Sequence, residues 1–190
     1  MKSIFIVIIL FSLVPYSAQA EDTKTSTKAF ETFEMFCIDQ LNTQENIPKL
    51  LSMLGKTPLP EEKARGFLFP QKGLVWTVSS KKGKNATERI SLILSDTGSC
   101  TVGATGTDGE MIKTTFEKMI RHRLLDTDDI GSHTQYIYAI TQPSLLGDED
   151  IHGVVLITLS KLNNLKDGIF LNAVPERTMR KERMSVPKWP

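Results

Sequence analysis

Apolar and polar positions along this chain change period several times, and each change marks an element. Residues 4–15 form an apolar run between the short positive start Met1-Lys2-Ser3 and a polar stretch opening at Glu21. Farther on, Phe30, Phe33, Cys37 and Leu41 recur at helical spacing, widened by Phe36, and predict a helix over about 27–42. Ser26 or Thr27 is its expected cap, and 21–25 its polar leader. A shorter helix is predicted over 47–54, with Asn46 as cap, Pro48 in the first turn and Gly55 as the stop. Thr57-Pro58-Leu59-Pro60 then breaks the pattern.

From Leu74 the period becomes two. Leu74, Trp76 and Val78 alternate with Val75 and Thr77, and Ile90, Leu92 and Leu94 alternate with Ser91, Ile93 and Ser95. These read as strands. A turn at Asp96-Thr97-Gly98 leads to a third strand carrying Cys100, Val102 and Ala104 on one face. Asp108 caps a predicted amphipathic helix to about Arg123. Its apolar face is Met111, Ile112, Thr115, Phe116, Met119 and Ile120; its wet face is Lys113, Glu117, Lys118 and Arg121. Tyr136, Tyr138 and Ile140 predict another strand. Residues 154–159 are apolar at every position, as expected of a strand covered on both faces. A last strand is predicted over 169–174.

These elements predict an α+β fold: a mainly antiparallel sheet of five to six strands, packed against two N-terminal helices and one amphipathic helix after the third strand. The expected organisation is a signal peptide over 1–20, one globular domain over 21–174 and a basic tail over 175–190. The signal assignment rests on the positive start, the apolar run and the small-x-small site Ala18-Gln19-Ala20, with cleavage expected between Ala20 and Glu21. The run is shorter than the roughly 20 residues that cross a bilayer, and no later stretch is longer, so no integral membrane segment is expected after cleavage. An uncleaved anchor is the rival reading. The expected location is the periplasm or the outside of the cell.

Charge narrows the partners. The chain has 23 basic and 22 acidic residues, a balance that offers nothing to draw nucleic acid or anionic lipid. The local exception is the tail, where Arg177, Arg180, Lys181, Arg183 and Lys188 stand against Glu176 and Glu182, with Met179, Met184, Val186 and Trp189 among them. An unidentified envelope or extracellular partner is expected, with this tail as one route to it.

Export changes the meaning of the only two cysteines, Cys37 and Cys100. Both fall on core-facing stripes, and an oxidising compartment favours their pairing. A closed loop of about 64 residues stabilises by roughly 4 kcal/mol in the chain-entropy model. The rival reading makes Cys100 a nucleophile. A catalytic thiolate needs an electropositive, partly exposed setting, which Thr101-Val102 does not supply.

The remaining chemistry is dispersed. His122, His133 and His152 lack the spacing of a metal site, so no metal or cofactor is expected. Asp126, Asp128 and Gly131 begin like a calcium loop, but Ile130 and Ile137 fill two ligand positions. Asp148, Glu149 and Asp150 form a second acidic cluster. Gly103, Gly106 and Gly109 lie between a strand and a helix, yet fit neither phosphate-binding fingerprint. Gly98-Ser99-Cys100 is no nucleophile elbow, and triads drawn from Ser132 or Ser144 with His133 or His152 have no spacing to support them. No catalytic residue is assigned. Asn85-Ala86-Thr87 is a glycosylation acceptor in a eukaryotic secretory route.

The aromatic-rich helix ending in Cys37, the tryptophan strand 74–78 and the strand Ser99-Cys100-Thr101-Val102 resemble an uncharacterised family of small exported bacterial proteins and lipoproteins. The resemblance covers roughly 30–124 and implies no activity. Two functions follow as expectations. The first is a non-enzymatic binding or interaction domain of the cell envelope. The alternative is a hydrolase or transferase with a dispersed site over 126–152.

Overall fold

The computed structural model describes residues 16–68, 70–80, 89–143, 149–160 and 168–176. The first helix, α1, spans Tyr16–Phe33 and passes directly into one wide π-helical turn, Glu34–Ile38. The turn is closed by the Asp39 N–H donating to Glu34 O at 2.9 Å. Residues 21–25 are therefore helical rather than a leader, and Ser26 lies inside the helix rather than at its cap. Ser26 is fully buried, and its hydroxyl accepts the Asp108 N–H at 2.7 Å. That long-range bond explains the difference: the serine caps no end of its own helix but receives the N-terminal end of another. The expected cleavage point between Ala20 and Glu21 lies along the backbone of α1; residues 1–15 lie outside the described ones.

A short 3-10 turn, Gln44–Asn46, leads into α2, Ile47–Met53. Pro48 sits in its first turn as expected, and Gly55, at φ 69°, ends it. The Asn46 side chain makes no capping bond. A third helix, α3, spans Glu61–Leu68 and was not expected from the sequence. After Pro60 it places Glu61 and Glu62 at its N-terminus and Arg65 in its last turn, charges that suit the helix dipole.

Seven strands make one sheet. They are β1 (Gly73–Ser80), β2 (Arg89–Ser95), β3 (Cys100–Thr105), β4 (His122–Asp129), β5 (His133–Pro143), β6 (Glu149–Ser160) and β7 (Ile169–Pro175). All neighbours are antiparallel, in the order β1-β2-β3-β7-β6-β5-β4. The α+β class stands, with seven strands in place of five to six and three helices before the sheet in place of two. The additional strand is β4. The helix between β3 and β4, α4, spans Gly109–Met119 and stops short of the expected Arg123. Asp108 caps it as expected, its carboxylate accepting the Met111 N–H at 2.9 Å. Among the described residues, no helix is long and apolar enough to cross a membrane.

The core lies between one face of the sheet and the layer of α1, the π turn, α2 and α4. Phe30, Phe33, Phe36 and Cys37 from the helices meet Trp76, Leu92, Val102, Leu171 and Ile157 from five successive strands. Burying each such side chain stabilises by about 1.5–3 kcal/mol. A disulfide joins Cys37 to Cys100, with Cα atoms 5.3 Å apart, and both residues are fully buried. It ties the π turn to the first residue of β3.

Among the described residues, the opposite face is covered at one end only. There α3 lays Ala64 and Leu68 on Val75 and Ile93, with Leu59 beside them. Farther across, β6 departs from expectation. Gly153, Val155 and Ile157 are buried, whereas Val154, Leu156 and Thr158 are only half-buried. The continuous apolar run therefore reflects one core face and one partly open face, not two covered ones.

Candidate functional site

A groove of about 710 Å³ lies between α3 and the start of β1. Its position follows from local chain geometry. Leu59 donates its N–H to Val75 O at 2.7 Å, so the extended segment before α3 lies along the edge of β1. Helix α3 then runs back over the sheet, and the chain re-enters β1 through Lys72 and Gly73. At Gly73 φ is 153°, and an added Cβ would run into the Leu94 carbonyl oxygen on β2. Only glycine brings the chain this close, which sets the floor of the groove.

Leu59, Ala64, Leu68 and Leu74 make the apolar lining; Arg65 and Lys72 add two cations. Leu74, at the border of the groove on β1, is 39% exposed. Arg65 faces Glu61 at 3.9 Å, both strongly exposed, a pair worth little in water. The described lining residues include no serine, cysteine, histidine or aspartate. Such a lining offers apolar contact and two positive charges. Sequence reasoning missed this site because it lies on an unpredicted helix. The run Pro60-Glu61-Glu62, followed by Ala64 and Leu68 four residues apart, was the available signal.

A second cavity, about 230 Å³, lies between α1 and α4 and is bordered by Phe30, Met111 and Met119.

The residues expected to carry chemistry are not gathered. His133 opens β5 opposite Ser160, whereas His152 lies at the other end of the sheet, in the irregularity between Ile140 and Thr141. Some eight strand residues separate them, on the order of 25 Å. Ser132 and His133 are in contact, Oγ to Nδ1 at 3.1 Å, at the exposed tip of the β4–β5 hairpin. Asp126 and Asp128 sit on β4 rather than in a calcium loop. Asp126 Oδ1 accepts the N–H of Thr127, and Asp129 Oδ1 that of Gly131. Among the described residues, no three of His, Cys, Asp and Glu are grouped to hold a metal ion. Ser144, Asp148 and Asn85 lie outside the described residues, as do 177–190.

The glycines before α4 answer to packing. A Cβ at Gly103 would come within 3.1 Å of the Phe170 ring, and one at Gly109 within 2.8 Å of Leu159. The N-terminus of α4 is already occupied by the Asp108 carboxylate, which would repel a phosphate.

His122 belongs to a cluster that takes in two residues expected on the wet face of α4, Lys113 and Glu117. Tyr138, fully buried, donates its hydroxyl to Glu117 Oε1 at 2.7 Å. Lys113 Nζ meets the same oxygen at 3.0 Å and lies 4.7 Å from the centre of the Tyr136 ring. His122 packs edge-on against Tyr138, with its Nδ1 2.7 Å from Ile120 O. Burial raises the Glu117 carboxyl, but the Tyr138 hydroxyl and the Lys113 ammonium outweigh it, and the pKa lies below its ordinary value. Burial, then the bond to Glu117, pushes the Tyr138 phenol well above its ordinary range. Such a phenol keeps its proton and acts as a fixed donor. Lys113 and Glu117 are thus pillars under α4 rather than a wet face.

No protein-family model matches the chain, nor does any curated protein or solved structure. The resemblance to small exported bacterial proteins rests on the residues that carry it.

Proposed function

We propose that this chain is an exported, non-enzymatic binding domain of the cell envelope or the extracellular space, and that the α3 groove takes its ligand. The observation that carries the proposal is the lining of this groove: apolar side chains beside the two cations Arg65 and Lys72. The charge balance, Arg65 and Lys72 against Glu61, suits a small apolar molecule with an acidic head. The volume suits one such molecule and is far too small for a folded partner. Export is supported by the start of the sequence, by Ala18-Gln19-Ala20 and by the buried Cys37–Cys100 disulfide.

A titration with a long-chain fatty acid below its micellar concentration tests the groove. Saturable one-to-one binding is expected, weakened about tenfold or more in the double variant Arg65→Ala, Lys72→Ala, since a charged hydrogen bond contributes about 1.5–3 kcal/mol. Binding that never saturates, or that ignores both substitutions, would reject the assignment. Recovery of the chain outside the cytoplasm, starting at Glu21, checks export separately.

A further inference from the structure

The open face of the sheet carries an apolar patch. In register across three strands, Val174 of β7 pairs with Val154 of β6, and Leu156 of β6 pairs with Ile137 of β5. All four are half-buried. Phe170, two pleats along β7 from Val174, is 52% exposed and lies over Gly103. Helix α3 packs over β1 and β2, at the far side of the sheet, while α1, the π turn and α4 pack on the opposite face. Beyond Ile137 the same face continues onto β4 as Asp126, and beyond Gln135 as Asp128, both exposed acids.

We propose that residues 177–190 of the same chain dock on this patch, apolar side chains against Phe170, Leu156 and Ile137, and basic side chains against Asp126 and Asp128. Three observations support that occupant. The first is position: β7 ends at Pro175, one residue past Val174, so the described chain leaves the sheet at the border of the patch. The second is charge: 177–190 holds five basic residues and the single acid Glu182. Met179, Met184, Val186 and Trp189 supply the apolar contacts. The third is size. Three strands about 4.8 Å apart and five residues long present on the order of 250 Å². A stable contact with a second copy needs about 800 Å² from each partner. A short tethered segment needs less, because its attachment raises its effective concentration. The fourteen residues 177–190 reach up to about 45 Å when extended, ample to cross from β7 to β4. The acidic partner that the tail's charge calls for is then on its own sheet. The inference is independent of the groove.

Trp189 reports the docking, because the other tryptophan, Trp76, is 1% exposed. The emission of the purified full chain minus that of its Trp189→Phe variant isolates Trp189. A blue-shifted Trp189, shielded from acrylamide and released by Phe170→Ser and by Asp126→Asn with Asp128→Asn, is the expected result. The aspartate pair is exposed, so that variant keeps the fold if Phe170→Ser does not. A Trp189 freely quenched in the unsubstituted chain overturns the proposal. Shielding that survives both variants places the tail elsewhere and also overturns it. So does shielding that depends on protein concentration and tracks a dimer on size exclusion, which would assign the face to a second copy.

Discussion

Two rows of side chains, one on each face, run across the same strands. On the helix side, Trp76, Leu92, Val102, Leu171 and Ile157 stand in register, none more than 1% exposed. On the other side the row reads Val75, Ile93, Thr101, Asn172, Leu156, Ile137 and Asp126. It passes from apolar and buried under α3, through the Thr101–Asn172 hydrogen bond at 3.2 Å, to half-buried aliphatics and an exposed acid. The first row is uniform because one continuous helix layer covers it. The second is graded because, among the described residues, its cover stops at β2. Stability is concentrated on the first face, and both proposed binding surfaces, the groove and the patch, belong to the second.

Leucines on adjacent strands test this contrast most severely. Leu171→Ala, on the closed face, should cost about 3–5 kcal/mol, a lost side chain plus the cavity it leaves. Leu156→Ala, one strand away on the open face, should cost only about 1 kcal/mol. Urea unfolding of both variants measures the difference, and equal costs would erase the distinction between the faces.

The disulfide sharpens the contrast from the helix side. Reducing it, or replacing Cys37 and Cys100 by alanine, should cost about 2–5 kcal/mol, with affinity for the fatty acid retained because the groove lies on the other face. Mass spectrometry of the unreduced chain should find no free thiol; two free thiols would refute the staple.

The smallest effect is expected at the pillar under α4. Glu117→Gln removes the acceptor that Tyr138 and Lys113 share and should cost about 1 kcal/mol. Its sign with pH follows from the lowered Glu117 pKa. The folded form holds its proton less tightly than the unfolded one, so the stabilisation is complete above the ordinary value of 4.5 and is lost as pH falls through the folded value. Unfolding curves from pH 6 down to the acid limit should converge for the two proteins; a gap that widens on acidification would contradict the assignment.

Much of this was written in local pattern. Asp108 announced α4, alternation announced β1 and β2, and two core-facing cysteines announced their pairing. Elements without a periodic signature were missed. β4, His-Arg-Leu-Leu-Asp-Thr-Asp-Asp, is an edge strand. With one neighbour and little buried surface it needs no alternation, and its aspartates guard the edge against pairing with other chains. The eight-residue α3 buries only Ala64 and Leu68, too short a stripe to stand out. Ser26 and Glu117 were assigned to a cap and to solvent because their partners, Asp108 and Tyr138, lie 82 and 21 residues away.

The sequence by itself determined the α+β class, most strands, the cap of α4 and the core-facing side of each cysteine, because each depends on neighbours within a turn or a pleat. Only the tertiary structure decided which face of β6 is covered, where the groove opens and that His133 and His152 stand at opposite ends of the sheet. Those outcomes depend on strand order and on where α3 stops, relations between distant segments that no local period encodes.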